Sequence, residues 1–167
     1  MLKDNNFKLQ IQEPIKEELY NYPEDSLDEY TDFDMGLKCF CFEHNCYVLL
    51  EVDTEQIKLH LYHDILDALE DRWCGQISEL SAGHKISIGF VDLILKFTPV
   101  KDKNEVTCEF GFIGTGKIQS YRLCLSQVLE EMSNFIDKVL DMAVKEGYIS
   151  TEDIDKYLGW QLNGALS

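Results

Sequence analysis

The sequence predicts an α+β fold: a mainly antiparallel sheet, built from a hairpin and a meander, with two main helices packed on one face and a short C-terminal helix. Three observations support this class. Alternation of apolar and polar residues recurs in consecutive segments, which favours antiparallel strands. Two longer segments place apolar residues at the three-four spacing of one-sided helices. A length of 167 residues fits one domain, 1–167, that can bury a substantial core.

The first half of the chain is expected to form three strands and a helix. Phe7–Ile11 alternates apolar and polar residues and predicts a short strand. Leu37–Phe42 and Cys46–Val52 predict a hairpin that turns at residues 43–45. A helix is expected over residues 53–72, because an Asp-Thr pair that can cap it precedes apolar residues at helical spacing.

The second half is expected to form a meander. Gln76–Leu80 predicts a strand after the glycine that ends the preceding helix. Lys85–Phe97 is expected to be one strand with a bulge at Phe90–Val91, because the apolar parity changes there and no turn residues intervene. Residues 106–112 alternate again and predict the last strand of the sheet.

Two helices are expected to complete the fold. An apolar stripe predicts a long helix over roughly residues 121–145, with Gly147 as its C-terminal cap. A Ser-Thr pair can cap a last short helix over residues 150–158, which Gly159 is expected to end.

The charge of the chain limits the classes of partner. There are 31 acidic residues against 15 lysines and arginines, for a formal net charge of −16. A sequence pI near 4.5 argues against binding to nucleic acid, because phosphate contacts need lysine and arginine. No run of about 18 uncharged apolar residues is present, so we expect no membrane-spanning helix. The first residues lack the apolar stretch of a signal peptide, which leads us to expect a cytoplasmic protein.

Half of the net charge lies in one short region, Glu13–Asp34, which we call the acidic segment. It holds nine acidic residues and one lysine, so its net charge is −8. Tyrosines interleave with the acids, and such a surface can attract a basic partner at long range and bury rings against it. The residues we expect to contact a partner are Tyr20, Tyr22, Glu24, Asp25, Asp28, Glu29, Tyr30, Asp32 and Asp34. The alternative is a solvated connection whose aromatic side chains dock it onto the core.

No catalytic signature is complete. Residues 111–117 match the phosphate-binding loop, but Ile118 stands where that motif needs a serine or threonine for magnesium. The segment is therefore expected to be a glycine-rich connection from a strand to a helix. Two His–Asp pairs at i,i+4, beginning at His60 and His63, would share helix faces, where ordinary charge pairing is the expected role.

Four candidate zinc ligands crowd into one short stretch: Cys39, Cys41, His44 and Cys46. Thiolate and imidazole suit zinc, but structural sites usually combine two ligand pairs spaced well apart. In the predicted hairpin the first two cysteines would share a face while the histidine would lie in the turn. We therefore expect no metal, no cofactor and no catalytic residue, and free thiols in preference to disulfides.

The middle of the chain carries a recognisable order of elements. It consists of a strand (Tyr47–Val52), a helix ending in Leu66-Asp-Ala-Leu69, Gly75-Gln-Ile-Ser-Glu-Leu80, the meander Ile86–Phe112 and a helix carrying Leu129-Glu-Glu-Met132 and Phe135. This layout, over about residues 47–140, resembles small bacterial immunity proteins of polymorphic and contact-dependent toxin systems. The resemblance implies a protein that neutralises a toxin. It transfers no functional residue, and the acidic segment lies outside it.

These observations lead to a functional hypothesis: a non-catalytic cytoplasmic protein that binds a basic protein partner, in the first place a cognate toxin such as a nuclease. Toxic nucleases tend to be basic because their substrate is anionic, so an acidic inhibitor can use the same field. Three alternatives stay open: a nucleic-acid mimic that inhibits a defence protein, an adaptor or dimerising structural domain, and a small zinc-binding enzyme. The oligomeric state is left open.

Overall fold

The structure is a computed structural model that describes residues 6–16 and 22–165, with side chains up to residue 159. This part of the chain forms two antiparallel sheets and five helices. The strands are β1 (Phe7–Pro14), β2 (Cys46–Val52), β3 (Glu55–His60), β4 (Ile86–Gly89), β5 (Leu93–Pro99), β6 (Glu105–Phe112) and β7 (Ile118–Cys124). The helices are α1 (Asp32–Glu43), α2 (Leu66–Glu70), α3 (Trp73–Ser81), α4 (Leu125–Lys145) and α5 (Thr151–Ala165), and a π-helical turn, Leu61–Ile65, leads into α2.

The α+β class is confirmed, and the strands form two sheets where one was expected. β1, β2 and β3 make a three-stranded sheet in that order, and β4 to β7 make a four-stranded meander. Every neighbouring pair is antiparallel. The sheets share one core, in which Phe7 of β1 packs edge-on against Phe97 of β5 with ring centroids 5.9 Å apart. Helix α4 contacts β1 as well as β6 and β7, so its apolar stripe covers both sheets.

The segment predicted as the strand Leu37–Phe42 is part of helix α1, so that prediction is wrong. Thr31 is the N-cap of α1, and a capping box with Asp34 sets the start of the helix. The buried residues of α1 recur at helical spacing: Phe33, Leu37, Phe40 and Cys41. Strand alternation fails here because two adjacent residues, Phe40 and Cys41, both face the core.

Residues 53–72 do not form one helix, so that prediction is wrong as well. Asp53 and Thr54 form the turn of the β2–β3 hairpin, in which Val52 pairs with Glu55. Asp53 has a left-handed φ of 54°, a conformation that aspartate tolerates better than most residues. The Asp-Thr pair is therefore a turn signal and not a helix cap, and helical structure begins only after β3.

The predicted strand Gln76–Leu80 lies within helix α3. Gly75, expected to end a helix, is buried inside α3, and the break comes earlier, at Arg72 with a left-handed φ of 62°. Trp73, the first residue of α3, is 2% exposed and packs against the ring of Phe135 in α4. Tertiary packing of this kind outweighs the cost of a helical glycine, about 1 kcal/mol relative to alanine.

The segment Lys85–Phe97 is a hairpin and not a single bulged strand. The parity change at residues 90–91 marks its turn, in which the N–H of Phe90 donates to the carbonyl of Leu93 at 2.7 Å. The sequence pattern located the irregularity correctly. It missed the chain reversal because the turn residues themselves contain neither glycine nor proline.

Strand β7 is missing from the predicted elements, and α4 begins at Leu125 instead of near residue 121. Residues 111–117 consequently join two strands of a hairpin, where a connection to a helix was expected. The predicted end of α4 is confirmed, with Gly147 at a left-handed φ of 82° just beyond it. The strands predicted at Phe7–Ile11, Cys46–Val52 and 106–112 are also confirmed.

The predicted start of the last helix is confirmed, and its predicted end is wrong. The N–H of Asp153 donates to Ser150 Oγ at 3.1 Å, which caps α5 at its first turn. The helix continues past Gly159 to Ala165. Across residues 6–16 and 22–165, none of the helices has both the length and the hydropathy needed to cross a bilayer.

Candidate functional site

The part of the acidic segment that the structure describes is a loop that leads into α1. Residues 22–31 form this loop, and Asp32 begins the helix. Tyr20 lies outside the described residues. Glu13 lies apart from the loop, on β1, where its carboxylate is 3.4 Å from the ammonium of Lys58. The structure therefore places eight of the nine predicted contact residues in one continuous stretch, Tyr22–Asp34.

Asp25 shapes the loop with its own carboxylate. Oδ1 accepts from the N–H of Glu29 at 2.8 Å, and Oδ2 accepts from the N–H of Tyr30 at 3.1 Å. The carbonyl of Asp25 also accepts from the N–H of Asp28, which has a left-handed φ of 51°. Local side-chain to backbone bonds of this kind are typical of aspartate in turns. Both oxygens of Asp25 are thus engaged within the segment.

Asp34 is engaged by the helix cap. Its Oδ2 accepts from the hydroxyl of Thr31 at 2.8 Å and from the N–H of Thr31 at 3.3 Å, while its own N–H donates to the Thr31 hydroxyl at 3.1 Å. The negative charge also lies at the positive end of the α1 dipole. Asp34 therefore stabilises the start of α1, which is a structural role.

Four other acids of the segment are exposed: Glu24, Asp28, Glu29 and Asp32. Among the described residues, no side chain or backbone group donates a hydrogen bond to their carboxylates, and no lysine or arginine forms an ion pair with them. We call these four the free acids. Three of them lie in the loop and Asp32 is the first residue of α1, and Asp25 and Asp34 set the local backbone shape of this stretch.

The tyrosines of the segment have different environments. The ring of Tyr22 packs edge-on against Phe42, and its hydroxyl donates to Glu43 Oε1 at 2.6 Å. That hydrogen bond raises the pKa of Tyr22. The other carboxylate oxygen of Glu43 accepts from the hydroxyl of Tyr148, so Glu43 ties the loop to the α4–α5 connection. Tyr22 is 50% exposed, which leaves one side of its ring accessible while its hydroxyl is used internally.

Tyr30 is 43% exposed, and a cation already lies on its ring. Lys38 Nζ is 4.7 Å from the ring centroid and 2.5 Å from Glu70 Oε1. Burial opposes the charged form of Lys38, but the hydrogen bond and charge of Glu70 outweigh it, so the pKa of Lys38 is raised. A third apolar side chain of the loop, Leu27, is 74% exposed, and sequence reasoning missed it. Tyr30, Leu27 and the accessible side of the Tyr22 ring are thus the apolar surface of this stretch that a partner can cover.

A groove of about 740 Å³ opens beside Tyr30, between the start of α1 and helix α5. Phe33 and Tyr157 both line it and stack on each other with ring centroids 4.5 Å apart, and the Tyr157 hydroxyl donates to the carbonyl of Leu69 at 2.8 Å. Burial is the main cause that raises the pKa of Tyr157. Sequence reasoning missed this groove because its walls come from three distant parts of the chain: Tyr30–Leu37, Leu69–Glu70 and Asp153–Tyr157.

The cysteine cluster has no shared face. Cys41 is buried in α1 and Cys46 begins β2, so the hairpin that was expected to hold them does not exist. Burial raises the pKa of both thiols, which keeps them protonated and unreactive. None of the six cysteines, all of which lie in the described part of the chain, is in a disulfide. In the described part of the chain, no three histidine, cysteine, aspartate or glutamate side chains are grouped so as to hold a metal ion.

The first His–Asp pair is a structural joint. Asp64 Oδ2 accepts from the N–H of His60 at 2.8 Å, and Oδ1 accepts from the N–H of Val91 at 3.0 Å. The partner of the carboxylate is therefore the backbone of His60, not its imidazole. In the second pair, His63 and Asp67, the imidazole of His63 packs against the ring of Tyr62. The helix on which these pairs were expected begins only after His60.

The free acids and the groove together form a surface that can bind a cationic partner. Free carboxylates attract cations, half-exposed aromatic rings can be covered by a partner, and an apolar floor can receive a side chain. The chain matches no family model, no curated protein and no solved structure.

Proposed function

We propose that the chain is a non-catalytic acidic binding protein that acts in the cytoplasm by neutralising a basic protein partner. In its most specific form the proposal is an immunity protein that inhibits a cognate bacterial toxin, such as a nuclease. The observation that carries it is the set of four free acids beside the half-exposed ring of Tyr30.

The internal bonding of the loop supports this proposal. Asp25, Asp34 and the Tyr22–Glu43 contact each fix part of the loop, so the free acids are presented from a preformed surface. A preformed surface loses less conformational entropy on binding than a disordered acidic tail would.

The electrostatics also suit a basic partner. The chain carries a net charge of −16, and the described stretch Tyr22–Asp34 holds six acids and no lysine or arginine, so its field attracts a cationic protein toward this surface. A nuclease that binds anionic substrate carries the complementary charge, and an acidic inhibitor can occupy the same region. Tyr30 and Leu27 then contribute apolar area once the partner is in contact.

The test uses charge reversal with a matched control. In the test variant the four free acids become lysines: Glu24→Lys, Asp28→Lys, Glu29→Lys and Asp32→Lys. In the control variant four exposed acids elsewhere change by the same charge: Asp92→Lys, Glu109→Lys, Glu130→Lys and Asp137→Lys. Tagged wild-type chain is used to capture partners from the native cell extract, and the captured protein is then purified and identified.

Association of the purified pair is measured at about 50 and about 500 mM salt, between which screening removes most long-range steering. We expect wild-type association to slow at high salt, and the test variant to associate about tenfold more slowly or worse at low salt. The control variant should lose much less. Expression of the partner alone should arrest growth, and co-expression with wild-type chain should restore it. A partner that is not basic, or equal association by the test and control variants, would show the proposal to be wrong.

A further inference from the structure

The groove between α1 and α5 has room for more than a single side chain. Its volume of about 740 Å³ lies within the range of pockets that bind small ligands, roughly 300–1,000 Å³. We propose that the groove receives a short peptide segment of the basic partner and that an arginine of this segment inserts into it. This inference rests on the proposed function and names the group that the partner contributes.

The floor of the groove suits the aliphatic part of such a side chain. Leu37, Leu69 and the stacked rings of Phe33 and Tyr157 line it; the first three are almost fully buried, so the partly exposed ring of Tyr157 is the part of the floor that an incoming side chain covers. The hydroxyl of Tyr157 already donates a hydrogen bond to the carbonyl of Leu69. It therefore keeps a partner when an incoming side chain covers the floor. Arginine carries three methylene groups that can lie along apolar surface while the charged head stays at the rim.

The rim of the groove is acidic. Four carboxylates line it, from Asp32, Asp34, Glu70 and Asp153, against one ammonium, from Lys156. The N-terminal ends of α1 and α5 lie beside these acids and contribute about half a positive charge each, and Lys38 pairs with Glu70. The rim remains negative after these contributions are counted. Charge complementarity therefore favours a cationic occupant over an acidic or neutral one.

The protein already holds one cation in the arrangement that we propose for the partner. Lys38 Nζ lies between the ring of Tyr30 and the carboxylate of Glu70, at one side of the groove. A guanidinium fits a site of aromatic rings and several carboxylates better than an ammonium, because it is planar, stacks on rings and binds carboxylates through two parallel hydrogen bonds. We therefore assign the inserted residue as arginine.

The probe is an acetylated, amidated pentapeptide, Gly-Leu-Arg-Leu-Gly, and its twin carries citrulline, which has nearly the same shape without the charge. Each is titrated into the full chain labelled with ¹⁵N, and the backbone amide signals are followed. We expect the arginine peptide to shift the amides of Phe33, Leu69 and Tyr157, and not that of Thr107 on the four-stranded sheet. The citrulline peptide should bind about tenfold more weakly or worse, as expected for loss of a charge-assisted contact.

Two variants of exposed rim residues should change peptide affinity in opposite directions. Asp32→Asn removes a carboxylate and should weaken binding about two- to fivefold, while Lys156→Gln removes the one ammonium of the lining and should tighten it about twofold. Glu109→Gln, on the four-stranded sheet, is the matched control and should leave affinity unchanged. Opposite signs of this kind exclude a general loss of folding as the cause.

The inference is overturned if the citrulline peptide binds as well as the arginine peptide, if the shifted amides lie outside the groove, or if no amide shifts. It is also overturned if the arginine peptide fills the groove without displacing the captured partner. The peptide titration needs no partner, whereas the proposed function is decided by the charge reversals in the acidic loop. Failure of one can therefore be told from failure of the other.

Discussion

The joint at Asp64 and the loop of free acids are both built on carboxylates, yet they use them in opposite ways. Asp64 is 9% exposed, and each of its oxygens accepts a hydrogen bond from a backbone N–H, one at the end of β3 and one in the β4–β5 turn. The free acids are exposed, and no described residue donates to them. The carboxylate of Asp64 holds the two sheets together through its hydrogen bonds, whereas the carboxylates of the free acids remain available to a partner.

The acidic segment itself contains both kinds of carboxylate. Asp25 and Asp34 resemble Asp64, because their oxygens are occupied by backbone N–H groups or by a hydroxyl. Charge alone does not distinguish them from the free acids, which have the same residue types within the same short stretch. The number of hydrogen bonds that each carboxylate accepts does distinguish them. This number predicts which substitutions change stability and which change binding.

The largest effect on stability is expected at Asp64. Asp64→Ala leaves two backbone N–H groups without their acceptor at a largely buried position, so we expect the free energy of unfolding to fall by about 3 kcal/mol. Asp64→Asn keeps one carbonyl oxygen and should lose about half as much. Urea unfolding measures both. A loss below about 1 kcal/mol for the alanine variant would show that this carboxylate does not hold the joint together.

A smaller loss is expected at the start of α1. Asp34→Ala removes one half of the capping box with Thr31 and a negative charge at the positive end of the helix, which should cost about 1 kcal/mol. Thr31→Ala should cost a similar amount. The double variant should cost less than the sum, because each single change already breaks the same box. Additive losses in urea unfolding would contradict the shared cap.

Tyr22→Phe should have a smaller effect still, and the effect should depend on pH. The hydrogen bond to Glu43 raises the pKa of Tyr22, so the folded chain keeps this phenol protonated where the unfolded chain ionises. The stabilisation is fully present below the phenol's ordinary pKa, about 10, and is lost as the pH rises above it. Wild type should therefore lose more stability than Tyr22→Phe between about pH 9 and pH 11 in thermal unfolding. Equal losses would contradict a role for this hydrogen bond.

The sequence was sufficient for the fold class but not for several elements, and α1 shows why. Leu37–Phe42 reads as a strand because nearly every position is apolar, so either parity satisfies the pattern. The decisive signal, the Thr31–Asp34 capping box, lies just upstream, inside a run of acids that reads as a surface segment. Strand β7 was not predicted for the opposite reason: its residues are mostly exposed and show no alternation of apolar and polar side chains.

The candidate site was predictable in its charge and not in its construction. The acidic composition of the loop is visible in the sequence, but the bonds of Asp25 depend on a left-handed turn at Asp28 that composition does not specify. The Glu43–Tyr148 contact joins residues 105 positions apart, and the groove joins three separate stretches of chain. Contacts of this range follow only from the three-dimensional packing of α1 against α2, α5 and the α4–α5 connection.

The smallest effect on stability is expected where the largest effect on binding is proposed. Neutralising the free acids by Glu24→Gln, Asp28→Asn, Glu29→Gln and Asp32→Asn breaks no hydrogen bond made by a described residue, so the free energy of unfolding should stay within about 0.5 kcal/mol of wild type. Removing four mutually repelling charges should raise stability slightly at low salt, and losing the Asp32 charge at the positive end of α1 should offset part of that gain. Both effects should shrink at about 500 mM salt. A loss above about 1 kcal/mol in urea unfolding would place these carboxylates with Asp64 as part of the fold, and the distinction between the two regions would then fail.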